Sequence, residues 1–396
     1  MKPVNRYPFP LLIACCLLCA VLHVPKNAAA GAAVWSYHEN NYEVHTPVIS
    51  KDNMQLAFVR KLHVPDGHEA ELFSDEELRK FMEPLETNPR FEDPEIMVMN
   101  LSDKNARFID FGWEPSFSPD QTKLYYAHQK KPISGLRVLG TTLAGNDIRA
   151  YTLSGGESAV VAEPTGGYLS SPWPAADGRI LYALSDAVNG AWGAAIGVGA
   201  FEPGTGEQGI LYKPEQEHGL YHLVQTFEAW NGTCFVLRLR PLTGGTYLAD
   251  SYAFELVDAQ SGTVLYNWGK GEISRDTPAV GLRMCPSGPE VYDNGWRALP
   301  WENPDGGEPG SSQRPGISSP DCAHVAYRDR SEVTIRSLGT EVTRRWTPSK
   351  GIIQSLSWSP DSSLIMLVIS HGGDYFEKFE YDELVVVPLD AIPAME

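Results

Sequence analysis

Residues 116–128 read SFSPDQTKLYYAH, and the same construction returns at 316–329 as GISSPDCAHVAYRD and at 355–370 as SLSWSPDSSLIMLVIS. Each copy is a short strand, a polar turn carrying Asp, and a second strand rich in Val, Ile, Leu, Tyr and Phe. An Asp side chain in such a turn can accept backbone N–H groups two residues on, and Pro presets the turn while ending the strand before it. Looser copies stand at 47–60 (PVISKDNMQLAFVR), 172–186 (PWPAADGRILYALSD), 225–239 (QTFEAWNGTCFVLRL) and 281–295 (GLRMCPSGPEVYDNG). The second strands are apolar on both faces, which predicts sheets stacked between neighbouring sheets rather than facing water.

Working outward, a second hairpin follows most copies: residues 95–109, 147–163, 251–267 and 331–346 each read as strand, Gly/Asp/Asn turn, strand. Two hairpins per repeat make a four-stranded antiparallel sheet. The aligned turn residues Asp52, Asp120, Asp177, Asn231, Ser287, Asp321 and Asp361 are spaced by 68, 57, 54, 56, 34 and 40 residues. A sheet of about 50 residues repeated around an axis is the arithmetic of a β-propeller. The expected fold is therefore all-β: four-stranded blades, seven by the turn count. The 34-residue step allows six full blades and a partial one. Strands near 354–358, 364–370 and 383–388 would form the last blade, with its fourth strand supplied by 33–37 near the N-terminus, closing the ring and removing its open edges.

The whole chain carries 32 Lys+Arg against 50 Asp+Glu, a formal charge of −18. Residues 1–30 contain Lys2, Arg6 and Lys26 and no acid, so without them the charge is −21. A surface this acidic repels phosphate backbones and argues against nucleic-acid partners. The same 30 residues read as a secretory signal: a basic start, the apolar run LLIACCLLCAVLHV at 11–24, then Ala28, Ala29, Ala30, Ala32 and Ala33 as small-residue cleavage sites. Cleavage near Ala30 or Ala33 would leave 31–396 as one propeller domain, periplasmic or secreted, with no transmembrane span. Lipid attachment at Cys15 within Leu12-Ile13-Ala14-Cys15 is a minor alternative. Beyond the signal the cysteines are Cys234, Cys285 and Cys322, with no Cys-x-x-Cys. Cys285 with Cys322 is the pair to test for a disulfide, and three buried thiols is the plainer reading.

The Ser-Pro-Asp turns followed by apolar strands, together with EIMVMNLSD at 95–103, resemble the repeats of TolB-type β-propellers. The resemblance covers most of 44–390 and is specific at 114–128, 316–329 and 355–370. TolB proper carries an α/β domain before its propeller; here about a dozen residues separate the expected signal from the first repeat. The resemblance therefore implies the propeller fold and leaves the Tol–Pal partners open.

Residues 65–94 interrupt the first blade. With Glu95 at the edge, the stretch holds 11 acids and three bases (Arg79, Lys80, Arg90). Ser74 and Glu77 form a capping-box pattern before a helix over 75–82, where Leu78 and Phe81 give one apolar face. This insertion is either a solvated decoration or an arm that docks a partner.

First strands of the blades begin near His45, Glu114, Ser171, His222, Asp276, Arg314 and Gln354, placing those side chains toward the channel mouth. His45 and His222 would lie across the mouth with Glu114 and Gln354 as oxygen ligands, and the His/His/Gln set resembles the metal site of oligogalacturonate lyases, which are also propellers and carry three metal-binding histidines; the third is not placed in this sequence. Ordinary rim histidines are the plainer reading. The turn aspartates Asp52, Asp120, Asp177, Asp321 and Asp361, and Asn231, recur at one repeat position, so capping explains them better than catalysis. No Gly-x-Ser-x-Gly elbow, Walker loop or dinucleotide-binding glycine pattern is present. No cofactor is expected, apart from a divalent ion at the channel mouth if the lyase reading holds. Trp113 sits at a repeat start, and Trp296 and Trp301 lie in WRALPWENPDGG without strand periodicity, so they are candidate binding side chains. The first expectation is a non-catalytic scaffold binding a protein or glycan partner of the cell envelope through one loop-bearing face. The alternatives are a metal-dependent polysaccharide lyase working at the channel mouth and a subunit of an envelope or redox complex.

Overall fold

The structure is a computed structural model. It describes residues 35–130, 147–213, 221–268, 283–290 and 317–395, apart from 89, 166–167, 176, 186–194, 231–233, 243–252, 286–287, 322, 338–339, 341 and 373–377. The elements in chain order are β1 (Trp35–His38), β2 (Tyr42–Ile49), β3 (Gln55–Leu62), a 3-10 turn (Glu69–Leu72), α1 (Asp75–Thr87), β4 (Glu95–Asn100), β5 (Ala106–Phe117), β6 (Lys123–His128), β7 (Asp147–Thr152) and β8 (Ser158–Ala162). They continue as β9 (Tyr168–Pro174), β10 (Ile180–Ser185), β11 (Ala195–Glu202), β12 (Glu207–Tyr212), β13 (Tyr221–Trp230), β14 (Cys234–Leu242), β15 (Ala253–Asp258) and β16 (Val264–Trp268). The last are β17 (Arg283–Cys285), β18 (Gly288–Glu290), β19 (Ile317–Ser318), β20 (His324–Arg328), β21 (Val333–Ser337), β22 (Thr343–Trp346), β23 (Ile352–Trp358), β24 (Leu364–His371) and β25 (Tyr381–Pro388).

All named strand pairs are antiparallel, and they sort into blades. β9 to β12, β13 to β16 and β19 to β22 are each four strands in sequence order. β5 serves two blades. Its first half, Ala106–Phe111, pairs with β4, and its second half from Gly112 pairs with β6. Blade one is thus β2, β3, β4 and the first half of β5; blade two is the second half of β5 with β6, β7 and β8. In the last blade, β23, β24 and β25 are completed by β1, whose Trp35 faces Val386 and whose His38 faces Glu383. The N-terminal strand covers an edge that would otherwise stand open. Among the described residues there are six four-stranded blades and the hairpin β17–β18, which falls in sequence between the fourth of them and the blade of β19 to β22.

The alternation of a strand explains how one blade joins two neighbours, because successive side chains point to opposite faces. In β3, Leu56 and Phe58 pack with Met366, Val368, Leu384 and Val386 of the last blade. Ala57 and Val59, one residue along, pack with Leu124, Tyr126 and Tyr151 of the second blade. β6 repeats the device: Leu124 and Tyr126 turn back to blade one, while Tyr125 and Ala127 meet Leu169, Ile180 and Tyr182 of blade three. β10 sends Ile180 and Tyr182 one way and Leu181 and Ala183 the other. This is why the second strands are apolar on both faces. Each fully buried Leu, Ile or Phe there contributes about 1.5–3 kcal/mol relative to exposure.

The turns between first and second strands are held alike. Ser50, Ser118, Ser319 and Ser359 donate through Oγ to Oδ1 of Asp52, Asp120, Asp321 and Asp361 at 2.5, 2.6, 2.5 and 2.6 Å. Each Asp Oδ1 also accepts a backbone N–H two residues on, from Met54, Thr122, Ala323 and Ser363. Asp177 accepts from Arg179 N at 3.1 Å and from Arg179 Nε at 2.8 Å. Neighbouring turns are clasped together: Asp321 N donates to Ser362 Oγ, Asn53 Nδ2 to Asp361 Oδ2, and Lys51 N to Gln121 Oε1. One face of the ring is thus a chain of polar clasps. The second strands end and the third strands begin on the opposite face, where the described stretch 63–94 leaves the first blade.

Candidate functional site at the channel mouth and the arm beside it

The first strand of a blade lies nearest the axis in a propeller. Here these strands are bulged at matched places: the register shifts between His45 and Val48, Trp113 and Ser116, Val224 and Phe227, and Ile353 and Ser355, and across Ser170–Trp173 in β9. In three blades the bulge is a left-handed residue followed by proline: Thr46 (φ 44°) before Pro47, Glu114 (φ 53°) before Pro115, and Ser171 (φ 48°) before Pro172. A β-branched residue at that φ is a genuine outlier, and bulges of this kind re-aim side chains. The three prolines are buried, while Thr46 is exposed and Glu114 and Ser171 are half-buried. Gln354, inside the corresponding shift of the last blade, is exposed. The ring thus carries a hydroxyl, a carboxyl, a second hydroxyl and an amide at equivalent bulges.

Glu114 joins two blades, its Oε2 accepting from Ser171 N at 2.5 Å. Burial among the surrounding strands pushes its carboxyl above the ordinary range, and the hydrogen bonds from Ser171 work against that. His45 stands 5.7 Å from the ring of Trp113, centroid to centroid. Its Nε2 lies 2.9 Å from Glu43 Oε2.

Glu43 leads into the inserted arm. Its Oε1 meets His63 Nδ1 at 2.6 Å, and His63 Nε2 meets Glu69 Oε2 at 2.6 Å, so one imidazole bridges two carboxylates. Burial opposes ionisation of Glu43, but the hydrogen bonds to His45 and His63 outweigh it and hold the carboxyl well below the usual range. Burial likewise opposes charge on His63, and its two carboxylate partners overcome that and raise its pKa. Beside them, burial pushes Asp382 up to about 6, even though it accepts Val44 N at 3.0 Å. Glu69 Oε1 takes Phe379 N at 2.9 Å, the Phe379 ring lies tilted against His63 with centroids 4.1 Å apart, and Lys378 Nζ reaches Glu77 Oε1 at 2.5 Å. The arm of blade one is therefore fastened to the second-to-third-strand connection of the last blade.

Within the arm, Ser74 and Glu77 form a complete capping box: Ser74 Oγ accepts Glu77 N and Glu77 Oε2 accepts Ser74 N. The helix runs to Thr87, five residues past the expected Met82. Pro84 forfeits one internal bond, but Asn88 N still closes on Pro84 O at 2.9 Å and Thr87 Oγ1 on Glu83 O at 3.0 Å.

Of the residues singled out from sequence, the structure brings His45 against Trp113 and links Glu114 to the neighbouring blade; Gln354 stands on its own first strand. His222 lies in β13 opposite Pro241, with its side chain outside the described residues. Trp296, Trp301, Asn231, Ser287, the signal segment and Cys322 also fall outside them, as do the side chains of Cys234 and Cys285. Among the described residues no group of three His, Cys, Asp or Glu side chains is arranged to hold a metal ion. Sequence spacing gave no role to His63, His128 or His371, yet each has a carboxylate within 3 Å: Glu43 and Glu69, Asp147 at 2.8 Å, and Glu383 at 2.9 Å. Their shared place at the loop-side end of second strands was the only available signal.

In fold the chain is similar to TolB. The structure of TolB from Acinetobacter baumannii is 14% identical, with a TM-score of 0.37, over 88% of this chain and 80% of that one. Hydrazine synthase of Kuenenia stuttgartiensis is 11% identical, with a TM-score of 0.39, over 83% and 76%. An acylaminoacyl peptidase is 13% identical, with a TM-score of 0.38, over 84% of this chain and 43% of that one. The fold assignment rests on strand order and repeat turns, and these likenesses stand beside it. No family model and no curated protein matches the chain. No helix among the described residues is long and apolar enough to cross a membrane.

Proposed function

We propose that this chain is a secreted or periplasmic, non-catalytic β-propeller scaffold that binds a protein or glycan partner of the cell envelope through its loop-bearing face. The observation that carries this reading is the set of matched bulges at the channel mouth. Three blades hold Thr46, Glu114 and Ser171 in a left-handed backbone that costs about 1–3 kcal/mol each. Strain retained at equivalent points of a repeat, with the Thr46 hydroxyl and the Gln354 amide exposed beside the Glu114–Ser171 link, suits recognition of a ligand rich in hydrogen-bonding groups. The opposite face is occupied with its own clasps. The basic start and apolar run of residues 1–30 support export, and the acidic surface favours cationic or neutral partners over phosphate-rich ones.

Metal analysis of the purified full chain tests the non-catalytic part. The scaffold reading predicts no stoichiometric divalent ion. One manganese per chain, lost in His45→Ala, would overturn it in favour of metal-dependent chemistry at the mouth.

A further inference from the structure

The acidic arm presents a surface that the ring does not use. None of the described side chains of α1 is buried. Leu78, Met82 and Leu85 recur at helical spacing; Met82 is 47% exposed, and Leu72 just before the helix is 46% exposed. Such a stripe normally turns inward. Here Met82 stands outward, while Leu78 and Leu85 are half-buried and keep part of their surface in reach of a partner; the polar fastenings of the arm are Glu69 on His63 and Phe379 N, and Glu77 on Lys378. Phe73, beneath Lys378 Nζ at 4.2 Å, supplies the arm's buried anchor.

Acids border the stripe. Asp75, Glu76, Glu77, Glu83 and Glu86 share the helix with Arg79 and Lys80, and Lys80 is paired with Glu76 at 3.0 Å. From 65 to 95 the excess is eight negative charges, on a chain that is itself acidic. That charge repels a second copy of the arm, an anionic lipid surface and a nucleic acid alike. An apolar stripe bordered by carboxylates is complementary to an apolar surface bordered by Lys and Arg.

Resting on the scaffold reading, we infer that α1 docks a protein partner through a basic amphipathic segment. The segment's apolar side chains cover Leu72, Leu78, Met82 and Leu85, and its cations meet Glu83, Glu86 and their neighbours. This is helix-against-groove recognition with the charges set for fast, salt-sensitive association.

The test uses the full mature chain and a fluorescein-labelled synthetic peptide, KLLKKLLKKLLK, with KSSKKSSKKSSK as the charge-only control, followed by anisotropy. The leucine peptide should bind and the control should bind at least about tenfold more weakly, since burying one large apolar side chain carries that factor. Leu78→Ser with Met82→Ser should weaken the leucine peptide about tenfold or more. These positions are not buried, so an unchanged melting curve certifies the variant. Glu83→Gln with Glu86→Gln should weaken binding at low salt and converge on wild type at high salt. Equal binding of both peptides, or of wild type and the serine variant, overturns the inference. Peptide protection in hydrogen exchange on the bulged first strands instead of α1 would also overturn it, while leaving the scaffold reading standing. The metal analysis above fails independently.

Discussion

The bridge Glu43–His63–Glu69 makes a pH-dependent fastening, and His63→Gln is the perturbation that exposes it. A protonated imidazole donates from both nitrogens, one to Glu43 and one to Glu69, each at 2.6 Å. A neutral ring has one N–H, so one of the two carboxylates loses its donor. The side chains of all three are mostly covered, at 17%, 22% and 15% exposure, so solvent does little to compensate. A hydrogen bond to a charged group in such a setting is worth about 1.5–3 kcal/mol. His63 is raised in the folded state, so its contribution is complete below its unfolded value and is lost as pH rises through the folded pKa. Glu43 is depressed, and its contribution is lost only in acid, outside that window. Asp382, at about 6, is a raised carboxyl whose cost is fully incurred above pH 7. Hydrogen exchange of residues 69–87, corrected for intrinsic rates and followed from pH 6.5 to 9, reads the opening of the arm. Wild type should lose about 1.5–3 kcal/mol of opening free energy across that range. His63→Gln should start lower and stay flat. An equal pH slope in wild type and variant would refute the reasoning, because the slope would then belong to another group.

Asp361→Ala removes the acceptor of Ser359 Oγ, Ser363 N and Asn53 Nδ2, the last from the neighbouring blade. Urea unfolding should show a loss of about 1–2 kcal/mol, and Asn53→Ala in the same background should then cost little more. Glu114 is raised by burial, so its folded-state advantage lies in acid and disappears as pH rises through its folded pKa. Glu114→Gln should flatten that decline between pH 4.5 and 8 in the same assay, and an unchanged slope would assign it to another carboxyl.

The blades were legible because their determinants are local. A Ser and an Asp two residues apart hold a turn whatever the rest of the chain does, and alternating apolar residues announce a strand. The double duty of β5 was hidden, since pairing with β4 and then β6 is decided by partners on both sides of one continuous segment. The bulges left a trace that reads clearly only after alignment on the structure: Thr46-Pro47, Glu114-Pro115 and Ser171-Pro172 are three X-Pro pairs at one repeat position. The fastening of the arm could not be read. His63 and Phe379 lie far apart in sequence and meet only because β1 closes the ring and sets the last blade beside the first. Helix α1 overran its expected end because Pro84 removes one bond without stopping the exposed final turn.

The claim that the loop-bearing face is the binding face is tested most directly by photo-crosslinking in the producing cell. A photoreactive residue is placed at Gln354 or Met82 on that side and at Thr122 or Ser363 on the turn face, all four exposed. Adducts from Gln354 or Met82, with none from Thr122 and Ser363, are the predicted result. Adducts confined to Thr122 and Ser363 would contradict it.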